Sequence, residues 1–283
     1  MKRLLFFLIF LSSQILMAQN IDVITYNIHS NNPSDGENAW SKRSEQLIAL
    51  LQFHQPDVFG LQEALIDQIE DIQNKMTKMK WVGVGCDDGK KKGEYSPIFY
   101  NSEKYKAVKQ GNFWLSETPG KPAIGWDAAN NRLCTWIILE TDKKDHKFMV
   151  LNTHFDNEGS KARSESAKLI LKKIKELNTE NIPVILTGCF NMTPDQAPIS
   201  TISQGMIDAR GASKKLPYGP NGTLNGFNFN IPLKDRVDYI FVNDKIEVKR
   251  YAVLSDSKEL HYPSDHLPVF VNLEIKKPEK PKK

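Results

Sequence analysis

The chain has 283 residues, of which 40% are hydrophobic and 25% are charged, a balance that supports a substantial core and a single domain. This composition excludes an intrinsically disordered chain, a collagen and a coiled coil. The formal net charge of +4 is concentrated at the two chain ends. Without Lys2, Arg3 and the tail 276–283, which holds five Lys and one Glu, the body is mildly acidic. Tight electrostatic binding of extended nucleic acid is therefore not favoured.

Residues 1–18 predict a cleavable signal peptide. Two basic residues precede the short apolar run 4–11, and the small residue Ala18 precedes the expected cleavage site. The run is shorter than the roughly 20 residues of a membrane-spanning helix, so a retained anchor is the less favoured alternative and no stable membrane insertion is expected. We therefore expect a periplasmic or secreted protein with one domain over 19–275, followed by a basic, solvated tail over 276–283.

The hydrophobic pattern of this domain predicts strands that alternate with helices. The predicted strands are 21–26, 57–61, 81–84, 96–100, 133–140, 148–152, 183–187, 237–242 and 268–275, and the predicted helices are 41–53, 64–79 and 160–177. Strands and helices interleave, but strands also follow one another late in the chain. This order favours an α/β sandwich with mixed sheets over a purely parallel barrel.

Polar residues recur at the ends of these apolar strands, where several strands can bring them to one rim of a sheet. They are Asn27, Glu63, His154, Cys189, Asn191, Asp238, Asp265 and His266. Carboxylate and amide oxygens suit Mg²⁺ or Mn²⁺, and the histidines supply donors or bases near neutral pH. An Asp–His pair would fix an imidazole tautomer. The set fits in-line hydrolysis of a phosphoester, in which a metal stabilises developing charge and a base activates water.

Six motifs in order resemble the endonuclease/exonuclease/phosphatase superfamily, which has the DNase I-like fold. They are Thr25-Tyr-Asn-Ile28, Leu61-Gln-Glu63, Asn152-Thr-His-Phe155, Leu186-Thr-Gly-Cys-Phe-Asn191, Arg236-Val-Asp-Tyr-Ile-Phe241 and Ser264-Asp-His-Leu-Pro268. The Tyr-Asn-Ile-His start and the Tyr95-Ser-Pro-Ile-Phe-Tyr100 segment are most similar to the deadenylase/nocturnin-like branch and its exported bacterial relatives. The resemblance implies a four-layer sandwich of two mixed β-sheets flanked by helices. It also implies a Mg²⁺- or Mn²⁺-dependent phosphodiesterase or phosphatase, and we expect a monomer.

The same resemblance implies a role for each matching residue. Asn27, Glu63 and Asp265 would hold the metal, His154 and Asn191 would contact the scissile phosphate, and Asp238 would orient His266. Arg132 lies where relatives carry a basic substrate contact, with an ordinary surface arginine as the alternative. Trp126 and Phe227 would stack on a flat group of the substrate, or else belong to the core.

Cys189 departs from the family motif Gly-Asp-Phe-Asn, which here is Gly188-Cys189-Phe190-Asn191. The sulfur of a thiol is a soft ligand, whereas Mg²⁺ prefers hard oxygen ligands, and a thiol is also mostly neutral near pH 7. Four explanations are open: an introduced change, a natural change that leaves a binding protein, a thiolate that acts with a softer metal such as Zn²⁺, or a cysteine oxidised or paired with Cys86 or Cys134. An enzyme of reduced activity is favoured because every other motif position is present. The alternative is a catalytically silent protein that binds a phosphorylated ligand.

Overall fold

The computed structural model describes residues 20–141 and 146–276. The predicted signal peptide and residues 277–283 of the predicted tail lie outside this part of the chain. Among the described residues, no helix is long and apolar enough to cross a membrane.

Two six-stranded mixed sheets form the centre of the domain. The first sheet has the order β11-β12-β1-β2-β4-β3 and the second has the order β5-β6-β7-β8-β10-β9. The strands are β1 Asn20–Asn27, β2 Val58–Gln62, β3 Met79–Val82, β4 Ile98–Asn101, β5 Tyr105–Trp114, β6 Leu133–Thr141, β7 Lys147–His154, β8 Val184–Cys189, β9 Ile207–Asp208, β10 Asp238–Val242, β11 Ile246–Val253 and β12 Val269–Ile275. The predicted α/β sandwich with two mixed sheets is confirmed.

Helices cover the outer face of each sheet. They are α1 Trp40–His54, α2 Ile66–Lys75, α3 Ser160–Leu177, α4 Ala197–Ser203 and α5 Ala209–Ala212, with a short 3₁₀ segment at Pro33–Asn38. One apolar cluster fills the space between the sheets, a second packs α1 and α2 on the first sheet, and a third packs α3 and α4 on the second. This gives the four layers that the resemblance implied.

Each sheet has one parallel strand pair at its centre, and these two pairs position the site. In the first sheet β1 runs parallel to β2, with Asn27 opposite Gln62. In the second sheet β7 runs parallel to β8, with His154 opposite Cys189. The carboxyl ends of a parallel pair meet at the same edge of a sheet, so each pair delivers polar side chains to one rim.

The two sheets approach closely beneath this rim. A Cβ atom on Gly60 would lie 2.5 Å from Cγ of Asn152, so only glycine fits there. The amide of Gln62 donates to Oδ1 of Asn152 at 2.6 Å, and the amide of Asn152 donates to the carbonyl of Leu61 at 2.7 Å. These buried hydrogen bonds join the sheets and fix the spacing of the two strand pairs.

The pattern missed two long strands and misplaced one boundary. β5 and β11 were not predicted because both alternate apolar with charged or polar residues and each contains a register shift, at Ala107/Lys109 and at Val248/Arg250. The predicted helix 64–79 is too long. α2 ends at Lys75, a turn closed by the hydrogen bond from Met79 N–H to the Met76 carbonyl follows, and Met79 begins a strand.

Candidate active site

The first sheet contributes an oxygen-rich group, here called the carboxylate half, that consists of Asn27, Glu63, Asp265 and His29. The Asn27 amide donates to Oε1 of Glu63 at 2.8 Å. His29 Nδ1 lies 3.2 Å from Oδ2 of Asp265 and 3.8 Å from Oε2 of Glu63. The Glu63 and Asp265 side chains are each 21% exposed, so this half is open to solvent.

The pKa values of this half reflect its mutual pairing. The hydrogen bond to Asp265 raises the pKa of His29, and the charges of Asp265 and Glu63 add to this against the opposing effect of burial. For Asp265, burial would raise the pKa, but the hydrogen bond from His29 and the charges of His29 and His266 lower it below its usual value. Asp265 is therefore held as a carboxylate.

Three side chains enter the site from left-handed backbone. Glu63, His29 and Asn191 have φ values of 60°, 53° and 52°. Asn adopts this region readily, whereas other non-glycine residues do so at a cost of about 1 kcal/mol or more. The sharp turn at each strand end aims the side chain across the rim, and the surrounding hydrogen bonds hold it there.

A second group, here called the thiol half, consists of Cys189, Asp238 and His266. Cys189 and Asp238 are directly opposite each other in the antiparallel pair of β8 and β10. His266 Nδ1 lies 2.8 Å from Oδ2 of Asp238, the Asp–His pair that the sequence predicted. Burial would lower the pKa of His266, but the charge and hydrogen bond of Asp238 outweigh it, so the pKa is raised to about 9. The ring is therefore fixed in orientation and protonated near neutral pH.

Cys189 is fully buried at the position where the family carries an aspartate. Burial, followed by the charge of Asp238, raises the pKa of its thiol well above the ordinary value. The thiol is therefore neutral and cannot take a proton from water near pH 7. All three cysteines of the chain are described and are free, so the disulfide alternative for Cys189 is wrong.

His154 and Asn191 meet at the boundary between the two halves. The Asn191 amide donates to the Phe155 carbonyl at 2.8 Å and lies 3.1 Å from Nε2 of His154. Nε2 of His154 in turn lies 3.7 Å from Oε1 of Glu63. The structure thus brings both predicted phosphate contacts next to the carboxylate half.

Arg132 is a buried residue behind His154, so the alternative of an ordinary surface arginine is wrong. Its guanidinium donates to Nδ1 of His154 at 2.9 Å, to Asp156 at 3.3 Å and to Glu94 at 3.2 Å. A fourth hydrogen bond reaches Asn157 at 3.0 Å. These contacts fix the ring of His154, and a direct contact between Arg132 and a substrate stays a prediction.

The two predicted aromatic residues lie in different surroundings. Phe227 is half-buried, and its ring packs edge-on against His29 with a centroid distance of 5.2 Å. The backbone N–H groups of Asn225 and Gly226 in the same loop donate to the Asp265 carbonyl. Trp126 is also half-buried, and its backbone N–H donates to the carboxylate of Glu117. Phe227 therefore borders the site, whereas stacking of Trp126 on a substrate stays a prediction.

Four further residues support the site and were not singled out from the sequence: His29, Arg43, Glu94 and Asp156. Arg43 is buried and donates to the carbonyls of Ile28, His29 and Pro263, which holds the segments after β1 and before β12 together. His29 follows directly on the Tyr-Asn-Ile motif, so its position was a usable signal. The other three lie in helices or loops where charged residues are ordinarily solvated, and no spacing marks them.

This rim, with three carboxylates, three histidines and two amides above a four-layer α/β sandwich, defines a hydrolase of phosphoester bonds. Residues 24–266 match the model of the Endonuclease/Exonuclease/phosphatase family. The chain belongs to this family, whose members are hydrolases that act on phosphoester bonds and are generally dependent on a divalent metal.

Solved structures agree with this assignment. An endonuclease/exonuclease/phosphatase family protein from Bacteroides thetaiotaomicron is 38% identical, with a TM-score of 0.89 over 92% of this chain and 100% of that chain. A mannosyl-6-phosphatase from the same organism is 39% identical, with a TM-score of 0.85 over 89% of this chain and 99% of that chain. The human nocturnin catalytic domain is 19% identical with a TM-score of 0.70, over 91% of this chain and 94% of that chain, and shares the fold.

Proposed function

We propose that this chain is an exported, monomeric, Mg²⁺- or Mn²⁺-dependent phosphoesterase, with an activity reduced by Cys189. The observation that carries the proposal is the convergence at one rim of all eight polar residues that the strand ends predicted. Export rests on the signal-peptide pattern of residues 1–18. N-terminal sequencing of the protein recovered from outside the cytoplasm tests it, with Gln19 as the expected first residue.

The carboxylate half fits a hard divalent cation. Glu63 and Asp265 offer carboxylate oxygens that remain partly exposed, as suits an ion that keeps several of its waters. Asn27 would either add its amide oxygen as a third metal ligand or orient Glu63 through the hydrogen bond that its amide donates. When bound, the ion would supply positive charge that stabilises the phosphoryl group as its negative charge develops.

The other polar residues of the rim would bind the phosphate group of the substrate. Asn191 and His154 are placed to donate hydrogen bonds to phosphate oxygens. His266, kept protonated by Asp238, adds a positive charge and a proton donor on the other side. What is missing is a base beside the attacking water, because the buried thiol of Cys189 is neutral.

A phosphorylated small molecule is the favoured substrate class. A relative that is 39% identical over nearly its whole length is a mannosyl-6-phosphatase, which suggests a sugar phosphate monoester. The body of the chain is mildly acidic, which disfavours extended nucleic acid. Phe227, at the edge of the site, offers a flat apolar face for a sugar ring.

The test is to measure hydrolysis of a panel of phosphoesters by the unsubstituted protein and by the Cys189→Asp variant. Mannose 6-phosphate, bis-p-nitrophenyl phosphate and a short oligonucleotide are compared in Mg²⁺, in Mn²⁺ and with a chelator. We expect metal-dependent turnover, highest on the monoester, that Glu63→Gln abolishes in both backgrounds. If Cys189→Asp hydrolyses no member of the panel in either metal, the proposal is wrong.

A second candidate function is the binding of a phosphorylated ligand without turnover, and the neutral thiol at Cys189 is the observation that favours it. This function predicts binding of mannose 6-phosphate by calorimetry with an affinity that Cys189→Asp leaves unchanged. It also predicts no hydrolysis by either form. Clear turnover by Cys189→Asp together with slow turnover by the unsubstituted protein would exclude binding without turnover.

A further inference from the structure

The thiol half brings three ligand types of a softer metal together in a buried pocket. Sγ of Cys189, a carboxylate oxygen of Asp238 and a ring nitrogen of His266 all lie within 4.8 Å of one another. Cys189 and Asp238 are fully buried, and His266 is 5% exposed. Thiolate, carboxylate and imidazole are the ligands that proteins use for Zn²⁺.

One carboxylate oxygen of Asp238 lacks a hydrogen-bond partner, which is a second, independent indication of a bound ion. Oδ2 of Asp238 takes the hydrogen bond from His266, whereas Oδ1 is buried and has no hydrogen-bond partner among the described residues. A buried carboxylate oxygen without a partner is unfavourable by about 1–3 kcal/mol or more. A cation bound here would give Oδ1 the partner that it lacks.

The surrounding charges favour a cation over a free thiolate. Asp238 lies directly opposite Cys189 in the strand pair, and its carboxylate attracts a positive ion to this position. Coordination to a metal removes the thiol proton, because the bond to the ion replaces the bond to hydrogen. The ion would also replace the ring proton of His266, which faces Asp238 in the metal-free chain.

The spacing is compatible with a small tetrahedral ion. Bonds of about 2.0–2.3 Å place the ligands of tetrahedral Zn²⁺ about 3.5 Å apart. His266 Nδ1 and Asp238 Oδ2 are already 2.8 Å apart, so they would separate slightly as Sγ of Cys189 moves in. The required shifts are on the order of an ångström.

The thiol half also differs in kind from the carboxylate half. Glu63 and Asp265 are partly exposed and offer only oxygen, which suits a hydrated Mg²⁺ or Mn²⁺. The thiol half is closed and contains sulfur and nitrogen, which favour an ion that sheds its water readily. We propose that Cys189, Asp238 and His266 form a second cation site, selective for Zn²⁺-class ions and adjacent to the carboxylate half.

Cobalt binding tests this site directly. Full-length, metal-free protein is titrated with Co²⁺ and its near-ultraviolet absorption is recorded, because a thiolate bound to Co²⁺ gives a charge-transfer band. The affinity for Zn²⁺ is then measured by displacement of the cobalt. We expect one bound ion per chain with this band, and Cys189→Ser should abolish the band and weaken Zn²⁺ binding by more than about 100-fold.

The other two cysteines provide matched controls. Cys86 hydrogen-bonds to Asp87 and Cys134 lies in the core against the carbonyl of Thr135. Cys86→Ser and Cys134→Ser should therefore leave the band and the affinity unchanged. If Cys189→Ser does not fold, Asp238→Asn and His266→Gln take its place, and each should weaken Zn²⁺ binding by at least about 10-fold.

Several outcomes would overturn the proposed site. They are a folded, metal-free chain that gives no thiolate band with Co²⁺, a band that survives Cys189→Ser, and a band that disappears with Cys86→Ser or Cys134→Ser. Glu63→Gln separates this proposal from the proposed function. It should abolish Mg²⁺-dependent hydrolysis and leave the cobalt band in place.

Discussion

The two halves of the site are built from the same kind of strand end but differ in exposure. Glu63 and Asp265 of the carboxylate half are each 21% exposed, whereas Cys189 and Asp238 of the thiol half are fully buried. In the open half, water stabilises the carboxylates in addition to their protein partners. In the closed half, each charge requires a protein partner or an ion. We therefore expect substitutions in the open half to alter activity with little effect on stability, and those in the closed half to alter both.

The largest effect is expected at the Asp–His pair of the closed half. Asp238→Asn, made in the Cys189→Asp background, removes the charge that keeps His266 oriented and protonated. We expect kcat to fall by about 10²–10⁴-fold, the usual loss when a positioned proton donor or base is removed. Steady-state kinetics on mannose 6-phosphate measure it, and a fall of less than 10-fold would show that the pair is not needed for the reaction.

The next effect is on stability, at the buried cation behind His154. Arg132→Met leaves Asp156 buried without its ion pair, which typically lowers the free energy of unfolding by about 3–5 kcal/mol. Urea denaturation followed by circular dichroism measures the change. Lys78→Met is the control because it breaks an exposed ion pair with Glu103 and should leave stability nearly unchanged. Equal losses in the two variants would contradict the assignment of Arg132 to a buried network.

A smaller effect is expected at the aromatic edge of the open half. Phe227→Ala removes the ring that packs on His29 and borders the substrate position. We expect KM to rise by about 2- to 10-fold with little change in kcat, since one aromatic contact contributes roughly 0.5–1.5 kcal/mol. Trp126→Ala tests the other predicted aromatic contact in the same way. An unchanged KM for Phe227→Ala would exclude this ring from substrate binding.

The smallest expected effect is the stability change at the metal carboxylate. Glu63→Gln keeps an oxygen to accept from Asn27 and removes a partly exposed charge. We expect the free energy of unfolding to change by no more than about 0.5 kcal/mol although activity is lost. Thermal denaturation of the metal-free variant measures this. A loss of several kcal/mol, as expected for a buried ion pair, would contradict the expectation that the open half contributes little to stability.

The sequence predicted the fold class and the residues that meet at the rim, but it did not predict every strand that carries them. The polar residues at strand ends could be predicted because they adjoin apolar runs, as Glu63 follows β2 and Asp238 begins β10. β5 and β11 could not be predicted in this way, because solvent-facing polar residues interrupt their apolar residues. The order of the strands depends on pairing between distant segments, which the resemblance supplied and local periodicity does not encode.

The supporting residues were harder to find than the reactive ones. Arg43 and Asp156 act through buried hydrogen bonds to backbone and to Arg132, and such roles leave no local pattern in the chain. The burial of Arg132 likewise depends on Glu94 and Asp156, which come from separate segments.

The central claim is that a phosphoesterase site is complete except for the base at Cys189. The direct measurement compares kcat/KM of Cys189→Asp with that of the unsubstituted protein, on mannose 6-phosphate in Mg²⁺. Cys189→Ser is the control because its side chain is similar in size to that of cysteine. We predict that Cys189→Asp is about 10²–10⁴-fold faster and that Cys189→Ser stays slow. Equal rates for all three forms, each folded and each binding Mg²⁺, would contradict it.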